Sequence, residues 1–216
     1  MSEMNTSIER MVQIVSNGVR LEGILCVPDG VTGIVLFAHG SGSGRFSPRN
    51  QFVAQELRNG GLATLLFDLL EEWESEDRDK VFDINFLADR LLGATDWVQS
   101  NPDTKELAIG YFGASTGAAA ALQAAAKRGS AIKAVVTRGG RPDLAMEYLP
   151  KVTAPTLLIV GGEDWPVISL NQEAFDSLSG IKKMEIIPGA THLFEESGAL
   201  EEVARLARDW FAEYLK

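Results

Sequence analysis

Short apolar runs alternate along the chain with longer stretches in which apolar residues recur every three or four positions. Met11–Val15 and Leu21–Val27 flank Asn17-Gly18, a pair suited to a tight turn, and predict an antiparallel N-terminal hairpin. Further strands are predicted at Gly33–Ala38 (GIVLFA), Leu62–Phe67 (LATLLF), Leu107–Phe112 (LAIGYF), Ile132–Thr137 (IKAVVT), Thr156–Val160 (TLLIV) and Lys183–Ile187 (KMEII). Several are almost continuously hydrophobic, as strands covered on both faces are. The helical period predicts helices at about 48–59, 83–100, 116–128, 167–179 and 199–215. Asn101-Pro102 supplies a stop after the second of these and Gly129 after the third. The last places Val203, Leu206, Trp210 and Tyr214 along one face. Strand–helix alternation predicts an α/β fold, a mostly parallel central sheet with helices on both faces. No internal repeat or dividing linker appears, so a single domain over residues 1–216 is expected.

Composition changes this picture little. Hydrophobic residues make up 45% and charged residues 23% of 216, enough for one core of ordinary size. No apolar run reaches the roughly 18 residues a membrane span needs. The start, MSEMNTSIER, lacks the basic and apolar regions of a signal peptide, so cytoplasmic residence is expected. A net charge of −10 argues against nucleic acid as a partner. Cys26 is the sole cysteine, which excludes an intrachain disulfide and a multi-cysteine metal site. His39 and His192 are the only histidines, so a site that needs one has few candidates. Residues 71–79 (EEWESEDRD) carry six acids and one arginine and are expected to form a solvated loop, with Trp73 an alternative cleft-bordering residue.

The strongest chemical signal is YFGASTG at residues 111–117. An apolar strand runs into Gly113-Ala114-Ser115-Thr116-Gly117, and an alanine-rich helix begins at once. This fits G-x-S-x-G, a strand–turn–helix arrangement that lifts a serine hydroxyl above the end of a sheet. The turn is so tight that side chains two positions either side of the serine would collide, so glycine takes both places. The first N–H groups of the helix would then face negative charge developing at the serine. The competing reading is a strand-to-helix turn in which Ser115 is only an N-cap.

A serine hydroxyl needs a base to take its proton. His192, in IIPGATHLFEE, follows the last predicted strand and falls on the sheet edge that carries the serine turn. Asp164, in GGEDWPV, follows the TLLIV strand, where a carboxylate can accept the second imidazole N–H. Ser115, Asp164 and His192 come in the chain order of a hydrolytic triad. Glu163 is the adjacent rival; Asp68 and Asp143 are weaker ones, with loop solvation or helix capping as their ordinary roles.

The GIVLFA strand ends in His39-Gly40-Ser41-Gly42-Ser43-Gly44. A backbone N–H here, at Ser41 or else Gly42, could complete an oxyanion hole begun by the N–H of Thr116. His39 would support the loop by hydrogen bonding. A phosphate cradle is the rival reading, but GSGSGRF has neither the Lys-Ser/Thr ending of a P-loop nor G-x-G-x-x-G spacing. Arg138 and Arg141 follow a strand that should end at the same edge and are candidates to clamp a substrate carboxylate. Surface or intrachain ion pairs compete with that role, and Arg45 and Arg49 carry a weaker version of it.

The segments AHGSGSGRFSPRN, GYFGASTGAAAAL, RGGRPDL, TLLIVGGEDWPVI and GATHLFEE, between residues 38 and 196, resemble the α/β-hydrolase superfamily and its dienelactone-hydrolase-like branch. The resemblance implies an α/β-hydrolase fold with a triad on Ser115, Asp164 and His192 and no cofactor or metal. Dienelactone hydrolases proper look like cysteine enzymes at the elbow, whereas this chain has serine. A carboxylesterase for small esters or lactones is therefore expected in place of dienelactone turnover. The segment 139–155 is too short for a helical lid and predicts an open cleft. A non-catalytic binding protein on the same fold, or a thioesterase, peptidase or acyltransferase using the same residues, are the alternatives.

Overall fold

The computed structural model describes residues 8–16 and 18–216. Its strands are β1 (Ile8–Ser16), β2 (Val19–Val27), β3 (Gly33–Ala38), β4 (Ala63–Phe67), β5 (Ala108–Ala114), β6 (Ile132–Arg138), β7 (Thr156–Gly161) and β8 (Lys182–Ile187). Its helices are α1 (Pro48–Asn59), α2 (Glu72–Ser75), α3 (Arg78–Phe82), α4 (Ile84–Ser100), α5 (Thr116–Arg128), α6 (Trp165–Ser177) and α7 (Ala199–Tyr214). The strands form one sheet in the order β1-β2-β4-β3-β5-β6-β7-β8. β1–β2 and β2–β4 pair antiparallel and every other neighbour pairs parallel. The predicted N-terminal hairpin is therefore present; Asn17 of its turn lies outside the described residues, and Gly18 takes φ 79°.

The continuous hydrophobicity of the central strands has a direct explanation. Alternate residues feed two separate cores, one on each face of the sheet. Ile34, Leu36, Leu65, Tyr111, Val135 and Leu158 pack beneath α4 and α5. Val35, Phe37, Leu66, Phe112, Val136 and Ile159 pack beneath α1 and α7. Each fully buried aliphatic or aromatic side chain of this kind contributes about 1.5–3 kcal/mol. The alanine run of α5 is buried along almost its whole length, which lets that helix lie close to the sheet.

Helix ends follow local chemistry. Ser47 caps α1 by accepting the Asn50 N–H, Asp83 caps α4 by accepting that of Phe86, and α5 stops at Gly129 with φ 57°. Two expectations need correction. The acidic run 71–79 is not a simple loop: it holds α2 and the start of α3, capped by Glu71 and Asp77. Glu74, 2% exposed, is drawn inward by Arg90 at 2.8 Å and Lys80 at 3.3 Å. Trp73 is 61% exposed, with its N–H on Glu71 and the Lys80 ammonium over its ring. On α7 the core-facing positions are Val203, Ala204, Ala207 and Phe211. Leu206, Trp210 and Tyr214 lie at the margin, where the Trp210 N–H reaches the Pro155 carbonyl.

β3 lies between β4 and β5, so the chain leaves it in opposite directions on its two sides and a crevice opens at its C-terminal end. Between β6 and β7 run only two short 3-10 turns, Pro142–Ala145 and Leu149–Lys151, with no helical lid. Among the described residues no helix is long and apolar enough to cross a membrane.

Candidate active site

β5 delivers Ser115 to the crevice in a conformation few residues adopt, φ 51° and ψ −123°. Holding a non-glycine residue there costs on the order of 1–3 kcal/mol. The strain is held by backbone bonds. The Ser115 N–H donates to the Arg138 carbonyl (3.3 Å), while its own carbonyl accepts from Ala118 (3.1 Å) and Arg141 (3.0 Å). The side chain makes no capping bond to α5, so the N-cap reading fails. Glycine is required on both sides because α5 folds back tightly. A Cβ on Gly113 would lie 2.6 Å from Ala118 Cα, and one on Gly117 would strike the Ala38 carbonyl.

The loop after β3 packs against this turn. The Ser41 N–H donates to Thr116 Oγ1 at 3.1 Å, which brings the two expected oxyanion-hole residues together and engages one of the two donors internally. The N–H of Thr116 itself opens α5 and has no helical acceptor. His39, 7% exposed, fixes the loop: its Nδ1–H donates to the Gly40 carbonyl and its Nε2 accepts the Leu69 N–H, both at 2.9 Å. Burial pushes its pKa below the usual value, outweighing the opposing effects of Gly40 and Asp68, so the ring is neutral.

Asp164 and His192 meet across the loops after β7 and β8. Gly162 donates to Ile187 at 2.8 Å and Glu163 to Ala190 at 2.9 Å, stitching the loops together. Asp164 occupies the N-cap position of α6 but does not cap it. Its carboxylate instead accepts the His192 Nδ1–H at 2.7 Å, which leaves Nε2 as the basic nitrogen. The Asp164 side chain is 11% exposed and that of His192 40%, so the pair reaches from the protein toward solvent. Glu163 turns away and accepts the Trp165 N–H. Asp68 is taken by Arg45, and Asp143 by Arg141.

Ser115 and His192 are brought to one rim without a hydrogen bond between them. A Cβ on Gly139, two positions beyond Thr137 on β6, would lie 3.4 Å from His192 Nδ1, and the neighbouring Arg138 carbonyl receives the Ser115 N–H. Ser115 Oγ and His192 Nε2 carry no hydrogen bond, to each other or to any described residue. Such bonds are commonly long in unliganded sites and shorten with substrate. Beside the turn lies a cleft of about 720 Å³ lined by Ser41, Thr116, Leu21, Leu87, Arg45 and Glu72 among others.

The arginines divide. Arg141 is closed into a two-pronged bond with Asp143, 2.8 Å on each prong, which is the intrachain pairing that competes with a substrate role. Arg45 bonds Asp68 and Glu22. Arg138 is buried and its Nε and Nη1 have no partner. Burial, and then the like charge of Arg49, push it down to about 10. Sequence reasoning missed the residues that hold the histidine loop. Phe194 takes φ 56° and is 1% exposed, anchored in the core under α7, and Glu196 binds both the N–H and hydroxyl of Thr191. The signal available was the apolar pair Leu193-Phe194 set between His192 and two glutamates.

Comparison with known proteins agrees with this architecture. The dienelactone hydrolase family matches residues 26–215. A dienelactone hydrolase crystal structure from Anabaena variabilis is 57% identical, covering 97% of this chain and 99% of that one, with a TM-score of 0.95. Est1E from Butyrivibrio proteoclasticus shares the fold at a TM-score of 0.80 and 18% identity, over 94% of this chain and 98% of its own. A Mycobacterium tuberculosis protein named putative phosphoribosyl transferase is 56% identical over 204 residues, 94% of this chain. The chain spans 46% of that relative's length. From the matched residues and the fold they form, the chain belongs to the dienelactone hydrolase family.

Proposed function

We propose that the protein is a serine hydrolase, acting as one domain, that cleaves small carboxylic esters or lactones through an acyl-enzyme on Ser115. The observation that carries the reading is Ser115 itself: a strained backbone, held by three hydrogen bonds, presents a hydroxyl that caps nothing. The Asp164–His192 hydrogen bond supports His192 as the base, since it fixes the tautomer whose Nε2 can take a proton.

In the proposed sequence, Ser115 Oγ attacks the substrate carbonyl as His192 Nε2 takes its proton. The N–H groups of Thr116 and Ser41 receive the oxyanion of the tetrahedral intermediate. The intermediate collapses, His192 returns the proton to the departing alkoxide, and the alcohol leaves. Water then attacks the acyl-enzyme with the same base, releasing the acid and restoring Ser115. A lactone follows the same path with its alcohol still tethered. The missing lid and the open cleft favour short acyl groups over long lipid chains.

A fluorophosphonate probe tests this directly. It is expected to add one phosphonyl mass to the protein on a peptide containing Ser115, and Ser115→Ala should abolish both labelling and turnover of short-chain esters. Ester turnover surviving in Ser115→Ala would overturn the proposal.

A further inference from the structure

Arg138 is the buried arginine among the described residues, at 8% exposure, and no carboxylate pairs with it. An ionised side chain removed from water without a partner costs several kcal/mol, so a protein that keeps one there has a use for it. Nε and Nη1 are sealed from solvent and unpartnered, which leaves Nη2 as the nitrogen facing outward. On β6, Arg138 shares its face with Ala134 and Val136, which pack in the core beneath α1 and α7. Its side chain therefore leaves the sheet on the α1 side, away from the 720 Å³ cleft, whose lining does not include it.

A second guanidinium, on the helix that covers this face, lies near enough for its charge to act on Arg138. Arg49, in the first turn of α1, has a buried, unpartnered Nε and holds Glu195 at 3.3 Å through Nη1. Glu195 is 66% exposed and is free to swing aside. Arg49 thus touches the histidine loop through Glu195. Gly139, which follows Arg138, also lies close to that loop: a Cβ placed on it would be 3.1 Å from the His192 carbonyl and 3.4 Å from the Phe194 ring. Arg49 stands in the first turn of α1, a helix of 12 residues whose dipole adds positive charge at that end.

We propose that Arg138 and Arg49 form an anion subsite, suited to a carboxylate or phosphate group, between the first turn of α1 and the loop carrying His192. The group presents oxygens to Nη2 of Arg138 and displaces Glu195 from Arg49, so that both guanidinium charges face one ligand. The anion is either free in solution or carried by the substrate; the substrate-borne case rests on the hydrolase reading above.

The test uses inorganic phosphate and a matched pair of esters, one bearing a carboxylate or phosphate and one its neutral isostere. Phosphate is expected to raise the melting temperature of the wild-type protein saturably, and Arg138→Gln and Arg49→Gln to remove most of that response. The kcat/KM ratio of anionic over neutral ester is expected to fall about tenfold or more in each variant, the size of a lost charge-assisted hydrogen bond. A phosphate response with an unchanged ratio assigns the subsite to a free anion. A changed ratio without a phosphate response assigns it to the substrate. Neither effect, or effects equal in wild type and variants, overturns the proposal. Absence of all ester turnover and of fluorophosphonate labelling sinks the hydrolase reading instead, and the phosphate response still decides this one. Should Arg138→Gln fail to fold, Arg49→Gln carries the same readings, its side chain being 34% exposed.

Discussion

The two histidines sit in comparable places, each in a loop at the C-terminal end of a parallel strand, yet their surroundings give them opposite capacities. His39 is buried, with one ring nitrogen donating to Gly40 and the other accepting from Leu69. A ring so committed cannot take up a proton without breaking its bond from the Leu69 N–H. His192 has one committed nitrogen and one open one, and two-fifths of its side chain meets solvent. The first is a brace and the second is available for proton transfer. Position in the strand order does not separate them; the number of occupied ring nitrogens does.

This contrast can be broken in three ways. His192→Ala should lower kcat by about five to six orders of magnitude, as base removal does in serine hydrolases, with little loss of stability. A chromogenic short-chain ester and a melting curve measure both. Asp164→Asn should cost about four orders, because the amide favours the wrong imidazole tautomer; the same assay reads it. His39→Ala should reverse the pattern. It leaves the Leu69 N–H and Gly40 carbonyl without partners, at about 1–3 kcal/mol each, so urea unfolding should show a large stability loss. Its effect on turnover should be far smaller than that of His192→Ala. A comparable kinetic loss in both alanine variants would refute the distinction.

A smaller effect sharpens it. Because burial lowers the His39 pKa, the unfolded chain binds a proton more readily than the folded one below the ordinary value of 6.5. Stability from this group is complete above that pH and falls as pH drops through it, by at most about 1.4 kcal/mol per pH unit. Denaturant titrations at several pH values should show this slope in the wild type and a reduced one in His39→Gln.

Much of the fold was legible because its signals are local. The prediction for α1 at 48–59 coincides with the helix found, since Ser47-Pro48 is a strong start and Gly60 follows the end. The strand Gly33–Ala38 was equally clear because both of its faces are buried, leaving no polar position to blur it. The acidic run failed for the opposite reason. Nothing near Glu74 in sequence announces that Arg90, sixteen residues later, will draw it inward. The stripe on α7 was misplaced by one position because Trp210 and Tyr214 are apolar enough to look internal, while their polar tips keep them at the margin.

The candidate site divides in the same manner. Ser115, Asp164 and His192 each end a recognisable strand, so their places could be read one at a time. The bond between Thr116 Oγ1 and the Ser41 N–H joins residues 75 positions apart, and the proposed anion subsite draws Arg138 from β6 and Arg49 from α1. Neither has a pattern within a single segment. In sequence Arg141 and Arg138 are equally available; in the structure Asp143, two residues on, occupies Arg141.

The Thr116 hydroxyl resting on the Ser41 N–H has a consequence for selectivity between reaction stages. With Ser41 as a donor to the substrate, an arriving neutral carbonyl must compete with an alcohol oxygen of similar accepting strength and gains almost nothing by the exchange. The alkoxide that forms after attack is a much stronger acceptor and wins that N–H outright. Under the proposed mechanism a single threonine side chain would thereby act as a placeholder, withholding the donor from the resting substrate and yielding it to the tetrahedral species.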